Sequence, residues 1–372
     1  MKGDQTFRVT TQSSTQCSNE VYIYKEVIPY FRKFIKECGS SLKPDWASRV
    51  YYADYKVFDE LNTEKETILA LKNVSPFGFR LGPRIDLDEP HLSMMVKQIA
   101  TYHAVNYAMK IKKDPMFKKL AKGMVPLSYL TLSGEPFESY HILFVIGLER
   151  FFNLVLTSDK YDKDFVARVK KFKDQYADCP LSLMQSFLNV DEEIFSIITH
   201  GDYNRNNVLF QYDGEEGFNN PKDIKMIDFQ ETRYATPAID LAFFMYMNLP
   251  TALRPKLWDS FLELYHETLI NSLVEILKCG KDDERLLPYS FENFMKHFKK
   301  TFFYGIMIGI HFIPWMACSE EECSEMSHLF ETAIKSPKLR QCAQVCGGAD
   351  VDDRITSIAV HAFEKGFMDI FN

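Results

Sequence analysis

The sequence predicts an α+β fold in which a short mixed region precedes a long and mainly helical C-terminal part. One helical pattern and two strand patterns occupy the first 71 residues, whereas apolar residues at helical spacing dominate residues 72–372. A strand-rich island interrupts the helical part near its middle. At 372 residues with 46% hydrophobic content, the chain can bury one large core or two unequal cores.

The N-terminal region begins with a helical pattern. Residues 19–34 carry apolar side chains on one side, and Pro29 predicts a kink in that helix. Residues 49–58 and 66–71 then predict two strands separated by a polar turn. A Ser-Pro-Phe-Gly sequence at residues 75–78 predicts a further turn, after which a long helix begins near Leu92.

The C-terminal part contains two clear helical patterns besides the helix near Leu92. An amphipathic helix is predicted from Trp258 to Ile276, and an almost wholly apolar helix over residues 303–312. The apolar run that includes the second helix is shorter than a bilayer requires and contains His311 and Pro314, so a buried helix is favoured over a membrane span. The strand-rich island comprises residues 197–199, 208–210 and 225–227, with a turn at residues 213–217.

Charge and cysteine usage exclude several classes of protein. The net charge of −7 argues against nucleic acid as the main partner, because binding to a phosphate backbone requires clustered Lys and Arg. The N-terminus is polar and lacks the apolar stretch of a secretory signal, which predicts a cytoplasmic location. The eight cysteines form no C-x-x-C pair and no zinc-ligand spacing with histidine, so we expect reduced thiols.

The chemistry-bearing residues lie on the island, at residues 200–207 and at Asp228. Transfer of a phosphoryl group requires a carboxylate that orients the attacking hydroxyl and oxygen ligands that hold magnesium. In protein kinases the catalytic-loop asparagine follows the aspartate by five positions, and Asp202 and Asn207 have the same offset. Asp228 follows an apolar strand one hairpin later, where the second metal-binding aspartate is expected. The three residues together predict a phosphotransferase site.

Other interpretations of single residues remain open at this stage. Asp202 could cap a turn, as aspartate often does. His200 is better suited to orient the loop than to accept a proton, because Asp202 already supplies the carboxylate. Arg205 could stabilise charge on a phosphoryl group, but an exposed loop arginine is the commoner case, and we leave it unassigned.

These motifs carry a family resemblance that covers most of the chain from residue 19 onward. The runs THGDYNRNNVLF and IDFQETRYATPAIDLAFFMY resemble the ecdysteroid-kinase-like (CHK-kinase-like) family, which is related to aminoglycoside and choline phosphotransferases. The runs NEVYIYKEVIPYF and SPFGFRLGPRIDLDEPHLSMMVKQIATYHA resemble the helix of the family's N-terminal lobe and its first large C-terminal helix. The resemblance implies a protein-kinase-like fold with a reduced N-lobe over residues 1–71 and a helical C-lobe over residues 72–372.

The resemblance also implies roles for individual residues. Asp202 would be the catalytic base, with His200 beside it in the catalytic loop, and Asn207 and Asp228 would bind magnesium. Asp240 would be a structural aspartate. A Lys and Glu ion pair that positions the ATP phosphates would be formed by Lys2 and Glu20, although Lys2 could equally be an unstructured terminal lysine.

The chain departs from the family pattern in its N-terminal lobe. Family members have strands and a phosphate-covering loop before the lysine, whereas Met1 alone precedes Lys2, and no glycine-rich loop follows a strand in the first seventy residues. We therefore expect either an incomplete gene product or a partly lost nucleotide clamp. The family's acidic pair at the hinge is replaced by Lys72 and Asn73, which affects side-chain contacts to the nucleotide.

The sequence thus predicts an ATP- and Mg²⁺-dependent kinase that phosphorylates a hydroxyl of a small organic molecule, of the steroid or xenobiotic alcohol class by resemblance. The principal alternative is a non-catalytic pseudokinase or binding module that has lost its nucleotide clamp. A metal-dependent hydrolase using Asp202 and Asp228 is a weaker alternative, because no His or carboxylate cluster completes a two-metal site. The acceptor and the oligomeric state are not specified by the sequence.

Overall fold

The computed structural model describes residues 8–9, 11–57, 65–188, 193–214 and 217–372. Its N-terminal region opens with helix α1 (Ser13–Tyr22), a π-helical stretch (Ile23–Val27) and helix α2 (Ile28–Glu37) in direct succession. The predicted helix is therefore present and starts earlier than expected. The sequence predicted a kink at Pro29, and the structure has the π-helical stretch just before that residue, where the Ile28 N–H bonds to the Ile23 carbonyl. The wider turn accommodates the proline ring, which would otherwise crowd the preceding turn.

The two predicted N-terminal strands form an antiparallel pair. Strand β1 (Val50–Val57) pairs with β2 (Lys65–Leu71), with Ala53 opposite Leu69. The pair packs on the N-terminal helices, where the Lys25 ammonium lies 3.5 Å from the Asp54 carboxylate. The turn predicted between the strands falls almost entirely outside the described residues.

The predicted strand island divides into two small sheets. Strand β5 (Val208–Gln211) pairs on one side with β6 (Asp223–Met226) and on the other with β3 (Phe79–Leu81). Strand β4 (Ile197–Ile198) pairs instead with β7 (Tyr234–Ala235). The sequence did not predict β3 or β7, because strands of two or three residues are too short to show alternation and exist through their partners. The loop between β4 and β5, whose residues 200–207 are called the catalytic loop after the motif they resemble, therefore joins the two sheets.

Helices make up most of the remaining chain. In order along the sequence they are α3 (Glu89–Ile111), α4 (Pro115–Gly123), α5 (Glu138–Leu156), α6 (Lys163–Tyr176), α7 (Pro180–Leu188), α8 (Ala238–Asn248), α9 (Arg254–Leu277), α10 (Phe291–Thr301), α11 (Phe303–Ala317), α12 (Glu320–Thr332), α13 (Pro337–Val345) and α14 (Gly348–Glu364).

Close packing of four of these helices positions the site. Helix α3 packs along α9, and α11 packs along α8. Gly305 on α11 permits the second approach, because a Cβ there would lie 2.4 Å from the Ala242 carbonyl oxygen. As a result His103 on α3 and Asp240 on α8 are both completely buried and face each other behind the catalytic loop.

Helix α5 is long and apolar enough to cross a membrane by length and composition, but half of its apolar window is buried inside the protein. Its Phe144, Leu148 and Phe151 belong to the main hydrophobic core. This burial is typical of a core helix. The apolar run that forms α11 is likewise buried, as the sequence predicted.

The α+β class is confirmed, as is the contrast between small sheets in the N-terminal region and a large helical C-terminal part. The placement of a lobe boundary after residue 71 stays a prediction.

Candidate active site

Asp240 anchors the start of the catalytic loop. Its Oδ2 accepts the His200 backbone N–H at 2.8 Å, and its Oδ1 accepts the Gly201 N–H at 2.7 Å. The His103 Nε2 lies 3.0 Å from the same Oδ2, and the His103 Nδ1 is 2.9 Å from the Tyr265 hydroxyl. The structural role implied for Asp240 therefore has a specific geometry, in which one buried carboxylate fixes two successive backbone amides.

Gly201 is required by both conformation and space. Its φ of +88° lies in the left-handed region, where residues with a Cβ are strained. A Cβ at this position would also lie 1.8 Å from the Glu231 carbonyl oxygen. The glycine thus lets the segment after Asp228 pass directly over the catalytic loop.

The Asp202 carboxylate is held by two amide side chains. The Asn204 Nδ2 donates to Oδ1 at 2.7 Å, and the Asn207 Nδ2 donates to Oδ2 at 2.7 Å. Asn207 also donates to the Asp202 backbone carbonyl at 2.9 Å. These bonds fix the orientation of the carboxylate, as a group that must align an acceptor hydroxyl requires.

The electrostatic surroundings favour the protonated form of Asp202. Burial, followed by the nearby carboxylates of Glu231 and Asp228, raises the pKa of Asp202 to about 7, while the hydrogen bonds from Asn207 and Asn204 act in the opposite direction. A carboxyl whose pKa lies near neutral pH is suited to accept and release a proton.

Asp228 lies next to the catalytic loop in an unusual backbone conformation. Its φ is +62°, a value that is uncommon for residues other than glycine and recurs at functional sites. The Ile227 N–H donates to the Asn207 carbonyl at 2.9 Å, which brings the two predicted metal ligands onto adjacent backbone segments. Burial raises the pKa of Asp228, and the Glu231 charge adds to this effect.

The side-chain oxygens of Asn207 and Asp228 fit a magnesium ion that takes its remaining ligands from a nucleotide and water. Both amide hydrogens of Asn207 are donated to Asp202, which leaves the amide oxygen available to a cation. Within the described ranges no group of three or more His, Cys, Asp or Glu side chains could hold a metal by itself. Magnesium commonly takes one or two protein oxygens and completes its shell with phosphates and water. Asn207 and Asp228 match that pattern.

His200 orients the loop through both of its ring nitrogens. The ring is completely buried, its Nε2 lies 3.0 Å from the Ile227 carbonyl, and its Nδ1 lies 3.4 Å from the Asp202 N–H. These partners assign the proton to Nε2. Burial lowers the pKa of His200 to about 4, so the ring is neutral at physiological pH. The geometry favours the orienting role over proton transfer, and a direct catalytic role for His200 stays a prediction.

Glu20 lies on α1, close enough to Asp228 for the two carboxylates to interact electrostatically. Burial and the Asp228 charge raise the pKa of Glu20 to about 7, against a hydrogen bond from the Phe229 backbone. Its predicted partner Lys2 lies outside the described residues. Within the part of the chain that the structure describes, the ion pairs include none to Glu20.

The site also contains a charged pair, Glu231 and Arg233, that the sequence did not predict. The Glu231 carboxylate accepts hydrogen bonds from the Gln16 amide and from the Arg233 guanidinium, each at 2.5 Å. Arg233 is buried and lies 5.6 Å from the centre of the Tyr129 ring. The pair therefore connects α1 to the segment that covers Gly201. Glu231 and Arg233 are close to Asp228 in the sequence, which was the available signal. Nothing in the sequence showed that their segment passes over the catalytic loop.

Arg205, which the sequence left unassigned, is a buried residue. It opens the 3₁₀ turn Arg205–Asn207, and its guanidinium donates to the Pro83 carbonyl at 3.2 Å. Its charged neighbours are Arg84, Asp86 and Arg354. The exposed-loop interpretation is therefore wrong, because the turn directs the side chain inward.

Comparison with known proteins identifies the family of this chain. A family model described as the ecdysteroid kinase-like family matches residues 1–278. Among solved structures, the Plasmodium vivax ethanolamine kinase Pv091845 is similar over 86% of this chain and 74% of that chain, with 16% sequence identity and a TM-score of 0.32. No curated protein matches the chain. Because the family model spans most of the chain and includes the catalytic loop, Asp228 and Asp240, the chain belongs to the ecdysteroid kinase-like family.

Proposed function

We propose that this protein is a small-molecule kinase that transfers the γ-phosphate of ATP to a hydroxyl group. The observation that carries the proposal is the Asp202 carboxylate, oriented by Asn204 and Asn207 beside Asp228. Family membership supports the coarser assignment to small-molecule kinases.

Each of these side chains has a role in the proposed reaction. Ionised Asp202 orients the acceptor hydroxyl, whose oxygen forms the new bond to phosphorus as the bond to the ADP oxygen breaks. Asp202 then accepts the hydroxyl proton. The oxygens of Asn207 and Asp228 would hold magnesium, which when bound neutralises charge on the nucleotide phosphates.

The acceptor in this proposal is a steroid or xenobiotic alcohol. This class is the one that the family resemblance implies. A cytoplasmic location stays a prediction.

A pseudokinase remains the second candidate, and one observation favours it. Glu20, the residue expected to pair with a phosphate-binding lysine, has a raised pKa and is electrostatically coupled to Asp228 rather than to a described cation. Such a protein would retain the loop and yet transfer no phosphate.

The test is transfer of radiolabel from γ-³²P-ATP, with Mg²⁺, to a panel of steroid alcohols and smaller alcohols. Three proteins are compared: the natural chain, Asp202→Asn and the matched control Asp213→Asn, whose aspartate is exposed and pairs with Lys222. We expect acceptor-dependent labelling by the natural chain and the control but not by Asp202→Asn. Magnesium-dependent ATP binding without labelling of any acceptor would favour the pseudokinase.

A further inference from the structure

A small, strongly cationic pocket lies behind the catalytic loop. Arg205, Arg254 and Arg354 line a pocket of about 30 Å³, together with Asp86 and Asn248. About 10–15 Å³ of volume measured in this way is enough for one water molecule. The pocket therefore has room for a small ion or molecule.

One of the three arginines already has its charge compensated. Arg354 donates to both carboxylate oxygens of Asp86, at 2.8 and 2.9 Å, and its Nε donates to Asp350 at 2.8 Å. Asp86 makes this contact with a φ of +59°, in the left-handed region that aspartate adopts more readily than most residues. Two carboxylates thus surround one guanidinium.

The other two arginines bond to neutral groups. Arg205 is 7% exposed and donates to the Pro83 carbonyl. Arg254 is 4% exposed and donates to the Ser357 hydroxyl at 3.1 Å and to the Leu249 carbonyl at 3.3 Å. Among the described ion pairs none includes either residue. Burying a guanidinium without a counter-ion is strongly unfavourable.

One donor of Arg254 has no partner. The Arg254 Nε is buried and makes no hydrogen bond within the described part of the chain. Burial and the neighbouring positive charges lower the pKa of both Arg205 and Arg254 to about 10, so both remain charged at neutral pH. Arg84 lies close enough to Arg205 to add to the positive potential.

We propose that this pocket, which Arg205 and Arg254 both line, binds one small inorganic anion of about the size of chloride. The anion would compensate the charge of Arg254, which has no carboxylate partner among the described ion pairs, and would add to the attraction that Asp86 exerts on Arg205. Asp202, Asn207 and Asp228 do not line this pocket.

The anion site would stabilise the catalytic loop from behind. Arg205 opens the turn that carries Asn207, and the Arg205 N–H is held by the Asn248 Oδ1 at 3.1 Å. Asn248 itself lines the pocket. An ion that fixes Arg205 therefore reduces the freedom of the turn that presents Asn207 to Asp202.

The first test is thermal unfolding in sodium chloride, sodium phosphate and sodium gluconate at equal ionic strength. We expect a higher Tm in chloride than in gluconate, with half-saturation at millimolar concentration, and loss of the difference in Arg254→Gln. Arg285→Gln is the matched control, because Arg285 is exposed and pairs with Asp283. A rise in phosphate without one in chloride would show a tetrahedral anion and overturn the size assignment.

The second test does not depend on a variant that folds. Crystals of the natural protein grown or soaked in bromide should give an anomalous peak in the pocket that Arg205 and Arg254 line. The absence of this peak, together with an equal Tm in chloride and gluconate, would overturn the proposal. Equal chloride responses in the natural chain and in a folded Arg254→Gln would do the same.

Discussion

The Asn207 side-chain amide donates to the Asp202 carboxylate at 2.7 Å, so the proposed base and a proposed metal ligand are fixed to each other. The bond uses an amide hydrogen and leaves the amide oxygen for a cation. Any movement of the metal ligand would therefore also move the carboxylate that orients the acceptor. This coupling gives the five-residue offset between the two positions a physical reason, because the intervening turn closes through their side chains.

The first prediction concerns pH. Because the pKa of Asp202 is raised to about 7 and the ionised form is the one that accepts a proton, kcat/KM should rise with pH through about 7. Glu231→Gln removes a negative charge that raises this pKa, so the rise should move to lower pH. Glu135→Gln, at an exposed position, is the control. A pH profile unchanged by Glu231→Gln would contradict the assignment of this limb to Asp202.

The second prediction concerns the metal. Asp228→Asn keeps the size of the side chain and tolerates the left-handed backbone, but it removes the carboxylate charge. We expect ATP affinity in the presence of Mg²⁺ to fall by at least about tenfold, equivalent to about 1.4 kcal/mol. Calorimetric titrations with ATP in Mg²⁺ and in EDTA separate the part of the ATP affinity that depends on the metal from the part that does not. Equal affinities of the natural chain and the variant in Mg²⁺ would remove Asp228 from the metal site.

The third prediction concerns the loop anchor. Asp240→Ala leaves two buried backbone N–H groups and His103 without their acceptor. Since each unsatisfied buried donor costs about 1–3 kcal/mol, we expect a loss of roughly 3–5 kcal/mol in the free energy of unfolding. Denaturant unfolding measures this loss in the free energy of unfolding. Asp259→Ala, which removes an exposed partner of Lys365, should leave the midpoint nearly unchanged. Similar midpoints for both variants would show that the anchor contributes little.

The fourth prediction concerns Glu20 and the stability of the ligand-free protein. The pKa of Glu20 is raised to about 7 in the folded state, so the folded state binds its proton more tightly than the unfolded state does. This contribution to stability is present at acidic pH and is lost as the pH rises through about 7. Glu20→Gln should therefore stabilise the protein at pH 8, on the order of 1–3 kcal/mol, while lowering kinase activity.

The control for Glu20 is the same comparison at pH 4, where the natural side chain is protonated and the two proteins should have similar stability. A Glu20→Gln protein that is less stable at pH 8 would show that the glutamate is paired with a cation instead.

Much of the site could be predicted because its residues are local in sequence. Asp202 and Asn207 are related by a fixed offset, and Asp228 lies two residues after the strand that pairs with the one following Asn207. Glu231 and Arg233 could not be predicted, since their importance depends on the passage of their backbone over Gly201. Arg205 was misjudged for a related reason: its position in a loop suggested exposure, whereas tertiary packing buries it.

The elements of the fold also divide into those that could be predicted from local sequence and those that depend on distant contacts. Helices α3, α9 and α11 and the strand pair β1 and β2 carry their own periodicity, and each of these was predicted, whereas the long helices α5, α6 and α14 were not placed individually. Strand β3 was missed because three residues become a strand only by pairing with β5, far along the chain. The π-helical stretch was also missed, because Pro29 marks the irregularity in sequence while the backbone adjusts in the preceding turn.

The most direct test of the central claim is turnover by Asp202→Asn, measured together with Tm and with ATP affinity. We expect kcat to fall by at least about 100-fold, because the proposed base acts in the chemical step, while Tm and ATP affinity stay close to those of the natural protein. A variant that keeps most of its turnover but loses several degrees of Tm would instead show Asp202 to be a structural residue of the turn.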